Sequence, residues 1–88
     1  MKHQSHPNII KRLKRVEGHV RSIIKMLEEE RECADVAQQL HAVEAAIGNA
    51  KRELIHDHIE HCLDDSHAHS AAEMRGQIKE LKTLSKYL

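Results

Sequence analysis

The chain has 88 residues, 14 basic and 14 acidic side chains that cancel to zero net charge, no Phe or Trp and a single Tyr. This is room for one small domain, residues 1–88, whose core must come from Leu, Ile, Val, Ala and Met. One Pro and three Gly exclude a turn-rich β fold, and 40% hydrophobic content excludes a disordered chain.

Residues 1–8 read as a flexible tail holding His3 and His6. Residues 9–29 read as a helix, because Ile9, Leu13, Val16, Val20, Ile23 and Leu27 recur at alternating steps of four and three. Pro7 and Asn8 stand just ahead of it, where a helix tolerates or favours them. A short connection at Glu30–Cys33 leads into a second helix over 34–62, with the same spacing in Val36, Leu40, Val43, Ile47, Ala50 and Leu54. Gly48 lies inside it, at a cost of about 1 kcal/mol against Ala. Residues 64–72 are small and polar, and 73–88 read as a third, shorter helix carrying Met74, Ile78, Leu81 and Leu88.

Two long helices joined by about four residues must fold back on each other. The expected fold class is all-α, a three-helix protomer with an antiparallel hairpin of the first two helices. Two helices bury too little to stand alone, so two hairpins pair into a four-helix-bundle dimer. No apolar run approaches the ~20 residues of a membrane span, and the N-terminus has no apolar signal region. The expected location is the cytoplasm, without a membrane partner and with both Cys reduced.

The zero net charge hides an asymmetry. Residues 1–26 carry Lys2, Lys11, Arg12, Lys14, Arg15, Arg21 and Lys25 against the single acid Glu17, whereas Glu28–Asp35 carries five acids and one Arg. Most of the first helix's basic residues lie off its apolar seam. That implies a localised basic surface, although such a stripe taken alone is more often a solvated face.

The segment His56-Asp57-His58-Ile59-Glu60-His61-Cys62 carries the chemistry. His58 and Cys62 are four residues apart, on one helix face. Imidazole and thiolate suit Ni(II), Co(II), Zn(II) or Cu(I), and two such ligands need a third. Cys33 is the candidate, but it precedes His58 by 25 residues of nearly continuous helix, about 37 Å along the axis. The two cannot share a metal within one chain. In an antiparallel dimer Cys33 of one protomer lies beside His58 and Cys62 of the other. Folding the hairpin near residue 31 also brings His3 and His6 to the level of His58, as further ligands. Alone, each of these residues has a duller reading: a surface or core His58, a buried apolar Cys33. Together the spacing favours metal. His19, His41, His67 and His69 read as structural or solvated.

These segments, RLKRVEGHVRSI at 12–23, EREC at 30–33, QQLHAVEAAIGNAKREL at 38–54 and HDHIEHCL at 56–63, resemble the CsoR/RcnR family of bacterial repressors over nearly the whole chain. The resemblance implies dimers that pair into homotetramers, apo-protein that binds double-stranded operator DNA through basic residues, and release on binding the inducer. By position, Cys33, His58 and Cys62 match the family's core ligands. Arg15 matches a basic position tied to DNA binding, with Lys11, Arg12, Lys14, Lys51 and Arg52 as further candidates. Glu80 resembles an acidic residue that couples the metal site to DNA release. Copper sensors of the family place a Tyr just before the first Cys, where this chain has Glu32. Nickel sensors recruit an N-terminal His, and His3 and His6 are available. The expected function is a Ni(II)-responsive repressor, with Co(II) as a further inducer and a Cu(I) sensor using Cys33, His58 and Cys62 as the alternative. A helical metal buffer that leaves DNA alone is the remote alternative. An enzyme is not expected: the chain is too short for a substantial pocket and has no oxyanion or phosphate loop.

Overall fold

The computed structural model describes residues 5–62 and 70–88, and of Cys62 the backbone alone; His3, His67 and His69 fall outside the described residues. The described residues form three helices, α1 (His6–Glu28), α2 (Cys33–Cys62) and α3 (Ala71–Ser85), with no strand among them. The expected all-α hairpin with a third helix is the observed fold.

The ends differ from the expected bounds for local reasons. α1 starts at His6, so residues 6–8 of the expected tail are helical. Pro7 sits in the first turn, where its missing N–H has no intrahelical acceptor to lose. The Ile9 amide donates to the Ser5 carbonyl at 2.9 Å. The other end of α1 closes with Glu30 in the left-handed region at φ 55° and the Arg31 amide donating to the Met26 carbonyl at 3.0 Å. This is the wrap usually made with glycine, which satisfies carbonyls left over in the last turn. The Glu32 carbonyl then accepts from the Asp35 and Val36 amides at 3.0 and 3.1 Å, launching α2. α3 starts at Ala71 because the Ser70 hydroxyl accepts from the Glu73 amide at 3.1 Å. Ser70-x-x-Glu73 is an N-terminal capping signature.

The apolar seams divide. On α1, Ile9 and Ile23 are buried and Val16 half-buried; on α2, Val36, Val43 and Ala50 are buried. The intervening members Leu13, Val20, Leu27, Leu40, Ile47 and Leu54 are all exposed. Ile23, Val36 and Val43 form the core cluster, with Val16 and Met26 against it. One half of each seam closes the hairpin and the other half lies on its outside. The expectation that both halves are core therefore holds for only one of them within a single chain. Ile55, off the seam, is the most buried side chain.

The chain measures 58 × 23 × 14 Å, with a radius of gyration of 18.0 Å. A compact globule of this length has about 12 Å. The least dimension is 14 Å against a length of 58 Å, so the chain is a rod rather than a globule.

Candidate metal centre and nucleic-acid face

α2 carries all three core metal candidates. Cys33 is its first residue, an exposed free thiol at the closed end of the hairpin. His58 lies in the last turns at the open end, its side chain 14% exposed. Cys62 is the last residue of the helix. The helix is continuous for 30 residues, so Cys33 and His58 stand about 37 Å apart along the axis. Among the described residues no three His, Cys, Asp or Glu side chains gather closely enough to hold a metal ion. One chain brings donors to two distant points and does not unite them.

The open end is set by the hairpin register. The Asn8 amide nitrogen donates to Glu53 Oε1 at 3.2 Å, placing the start of α1 against the last third of α2. Ser5 consequently lines one cavity with His56, Asp57 and Glu60. His6, half-buried, is the next residue. His3 lies outside the described residues. His58 Nε2 faces the Glu80 carboxylate of α3 at 3.4 Å, across the α2–α3 junction. The resemblance singles out Glu80, and the structure places it against a candidate ligand. The donor chemistry fits a borderline or soft ion: two thiols and imidazoles, with one imidazole largely withdrawn from water beside a carboxylate.

The basic candidates separate into two groups. Arg12, Arg15 and His19 of α1 share a trough with Asn49 and Ala46 of α2, and Arg52 joins Arg12 and Asn49 in the adjoining cavity. Lys11 and Lys14 are exposed on α1. Lys51 instead borders an apolar groove with Ile9, Leu13, Ile47, Ala50 and Leu54. The Arg52 guanidinium folds back along α2 and donates to Asn49 Oδ1. A Cβ at Gly48 would meet that guanidinium at 3.5 Å, an ordinary contact, so Gly48 is not demanded by crowding within the chain.

Sequence reasoning missed four polar contacts here. Glu53 receives Asn8 and also pairs with Arg12, Nη1 to Oε2 at 3.2 Å. His19 Nε2 and Gln39 Oε1 meet at 2.6 Å across the hairpin. Asn49 seats Arg52. The first three depend on register between residues 20 or more apart, which the spacing within one helix does not fix.

A helical hairpin with thiol and imidazole donors at its ends and a basic trough along one face belongs, by its parts, with proteins that read metal and carry basic surface for a polyanion. Similarity to known proteins makes the class definite. A family model described as metal-sensitive transcriptional repressor matches residues 5–87. The copper-sensing transcriptional repressor RicR of Mycobacterium tuberculosis (strain ATCC 25618 / H37Rv) is 38% identical over 77 residues, 88% of this chain and 80% of that protein. The copper-sensing transcriptional repressor CsoR of Bacillus subtilis (strain 168) is 47% identical over 58 residues, 66% of this chain and 57% of that protein. Among solved structures, the nickel-responsive transcriptional regulator InrS superposes with a TM-score of 0.79 at 29% identity, covering 100% of this chain and 98% of that one. The chain belongs to the CsoR/RcnR family of metal-sensitive transcriptional repressors. It is a family of repressors, not of enzymes. No helix among the described residues is long and apolar enough to cross a membrane.

Proposed function

We propose that this protein is a Ni(II)-responsive repressor, with Co(II) as a further inducer. Without metal it binds double-stranded operator DNA; metal releases it and derepresses metal efflux or resistance genes. One observation carries the reading. A single uninterrupted α2 holds Cys33 at one end and His58 and Cys62 at the other, with an exposed apolar half-seam between them. A second copy laid antiparallel covers that half-seam and brings its own Cys33 to His58 and Cys62. Homodimers of this kind pair further into a homotetramer.

Cys33, His58 and Cys62 would hold the ion, with His6 or His3 as an added imidazole from the start of the chain. The ion supplies a charge that displaces thiol protons on binding. His58 would contribute an imidazole to the ion, and the Glu80 carboxylate, which faces its Nε2, would orient that ring. Glu80 thereby couples the state of α2 to α3. Lys11, Arg12, Lys14, Arg15 and Arg52 are the side chains that would meet operator phosphates, each contact made adding about −0.9 to the log–log salt slope, while Lys51 stands apart on the rim of the apolar groove. A coupling of about 1–3 kcal/mol between metal and DNA is ordinary for such a switch.

The likeness to InrS, Glu32 ahead of Cys33, and His6 beside the open end favour nickel. The two copper-sensing relatives favour a second reading, Cu(I) held by Cys33, His58 and Cys62 alone.

The test begins with an operator recovered by the apo-protein from random duplexes. Under anaerobic, reducing conditions Ni(II) should release that duplex with a thiolate-to-nickel charge-transfer band. Cys33→Ala should bind the duplex and ignore the metal, and a His3→Ala/His6→Ala double variant should weaken the band. Release by Cu(I) but not Ni(II) carries the second reading. Metal binding without selection of any duplex points to a metal buffer and overturns the repressor reading.

A further inference from the structure

Arg12 does not present a free cation to solvent. Its guanidinium lies 3.2 Å from Glu53 Oε2, with the two side chains 47% and 27% exposed. The other oxygen, Oε1, accepts from Asn8 Nδ2 at 3.2 Å. Asn8 and Arg12 are four residues apart and share the face of α1 that looks onto α2. Glu53 Oε2 itself is buried and receives no aligned hydrogen bond, so its hold on Arg12 is Coulombic and geometrically poor.

Arg12 also stands at the junction of two cavities. One contains Glu53 with Arg52, Asn49 and His56 and, farther toward the end of α2, the carboxylates of Asp57 and Glu60; the other contains Arg15, His19 and Asn49. Its long side chain borders both. Among the described residues Arg15 makes no ion pair, so the two arginines of one trough differ in what already holds them.

We propose that Glu53 is an internal competitor for Arg12, a carboxylate occupying the place of a DNA phosphate and thereby limiting operator affinity. This rests on the reading that the trough meets DNA. A carboxylate and a phosphodiester each carry one negative charge, and one guanidinium cannot neutralise both. With Glu53 in place, a phosphate approaching the trough meets an Arg15 without an ion pair and an Arg12 that already faces a carboxylate. Glu53 acts through Arg12 and is a positioning residue: it sets which basic side chains count toward DNA.

The experiment measures binding of the intact apo-protein to the selected duplex across a salt series. Glu53→Gln keeps an oxygen for Asn8 and removes the charge. It should bind at least about fivefold tighter, with a salt slope steeper by about 0.9 for each copy that touches the duplex, the signature of one more phosphate neutralised per copy. The double variant Arg12→Gln/Glu53→Gln should return to wild-type affinity and slope, because the tighter binding passes through Arg12. Unchanged or weaker binding by Glu53→Gln overturns the proposal and leaves the pair as a structural clasp. Tighter binding that survives in the double variant overturns it too, since Glu53 would then act by direct repulsion. If Glu53→Gln does not fold, as read by far-ultraviolet circular dichroism, Glu53→Met removes the charge at similar volume and must move affinity the same way. A wild-type protein that binds every duplex without salt dependence would defeat the DNA reading instead, and is seen before any variant is made.

Discussion

The two ends of the α1–α2 hairpin both bury apolar side chains but differ in the polar contacts added to them. At the closed end, Ile23, Val36 and Val43 form a contiguous buried cluster beside a turn whose amides are directed at nearby carbonyls. At the open end Ile9, Ala50 and Ile55 are buried too, but the helices also meet through Asn8, Arg12 and Glu53, contacts that remain partly in water. Apolar packing is insensitive to added ions, whereas half-exposed charges answer to metal, salt and polyanions. The end that carries His58, His61 and Cys62 is the one where adjustable contacts supplement the buried side chains. The closed end supplies Cys33 from a fixed frame.

The contrast can be broken at several points. Ile23→Ala should cost about 2–4 kcal/mol in urea unfolding, the range for emptying a packed apolar site. Ile47→Ala makes a comparable change on the exposed half-seam. If a second copy covers that face in solution, it should cost more than about 1 kcal/mol, and its melting temperature should rise with protein concentration. A cost near zero, independent of concentration, would show the half-seam bare. Glu30→Gly should stabilise the turn by about 1 kcal/mol, since glycine adopts the left-handed conformation without the penalty a side chain incurs. Gly48→Ala should add about 0.5–1 kcal/mol of helix stability, because its Cβ would meet nothing nearer than the Arg52 guanidinium at 3.5 Å. Loss of stability instead would mean that a neighbouring copy comes close at Gly48. Asn8→Ala, removing one exposed hydrogen bond, should change unfolding by under about 0.5 kcal/mol, far less than any change to the closed-end cluster.

Much of the hairpin can be read from spacing alone. The alternating steps of four and three from Ile9 to Leu27 and from Val36 to Leu54 mark two helices, and the short connection makes them antiparallel. Spacing says nothing about which half of each seam faces the partner helix. In the structure the inner half is β-branched or small throughout, Ile9, Val16, Ile23, Val36, Val43 and Ala50, while the outer half holds Leu13, Leu27, Leu40 and Leu54 together with Val20 and Ile47. Ser70 followed by Glu73 is a start signal for α3 that its small, polar surroundings conceal. The candidate metal donors follow from local motif and chain length, which suffice to show that one helix cannot close on itself. The hold of Glu53 on Arg12 and Asn8 needs the register across more than 40 residues, which no local pattern carries.

The unbroken course of α2 has a consequence for tolerance to change. In the antiparallel pairing proposed above, each copy contributes one rod with a thiol at its head and an imidazole near its tail. Lengthening the rod by two full helical turns would lengthen both copies alike, so head and tail would still meet. The two half-sites would move apart together, keeping their match without any residue having counted the distance. Such a pair gauges itself against its twin, and only an insertion that rotates one end out of phase with the other would spoil the fit.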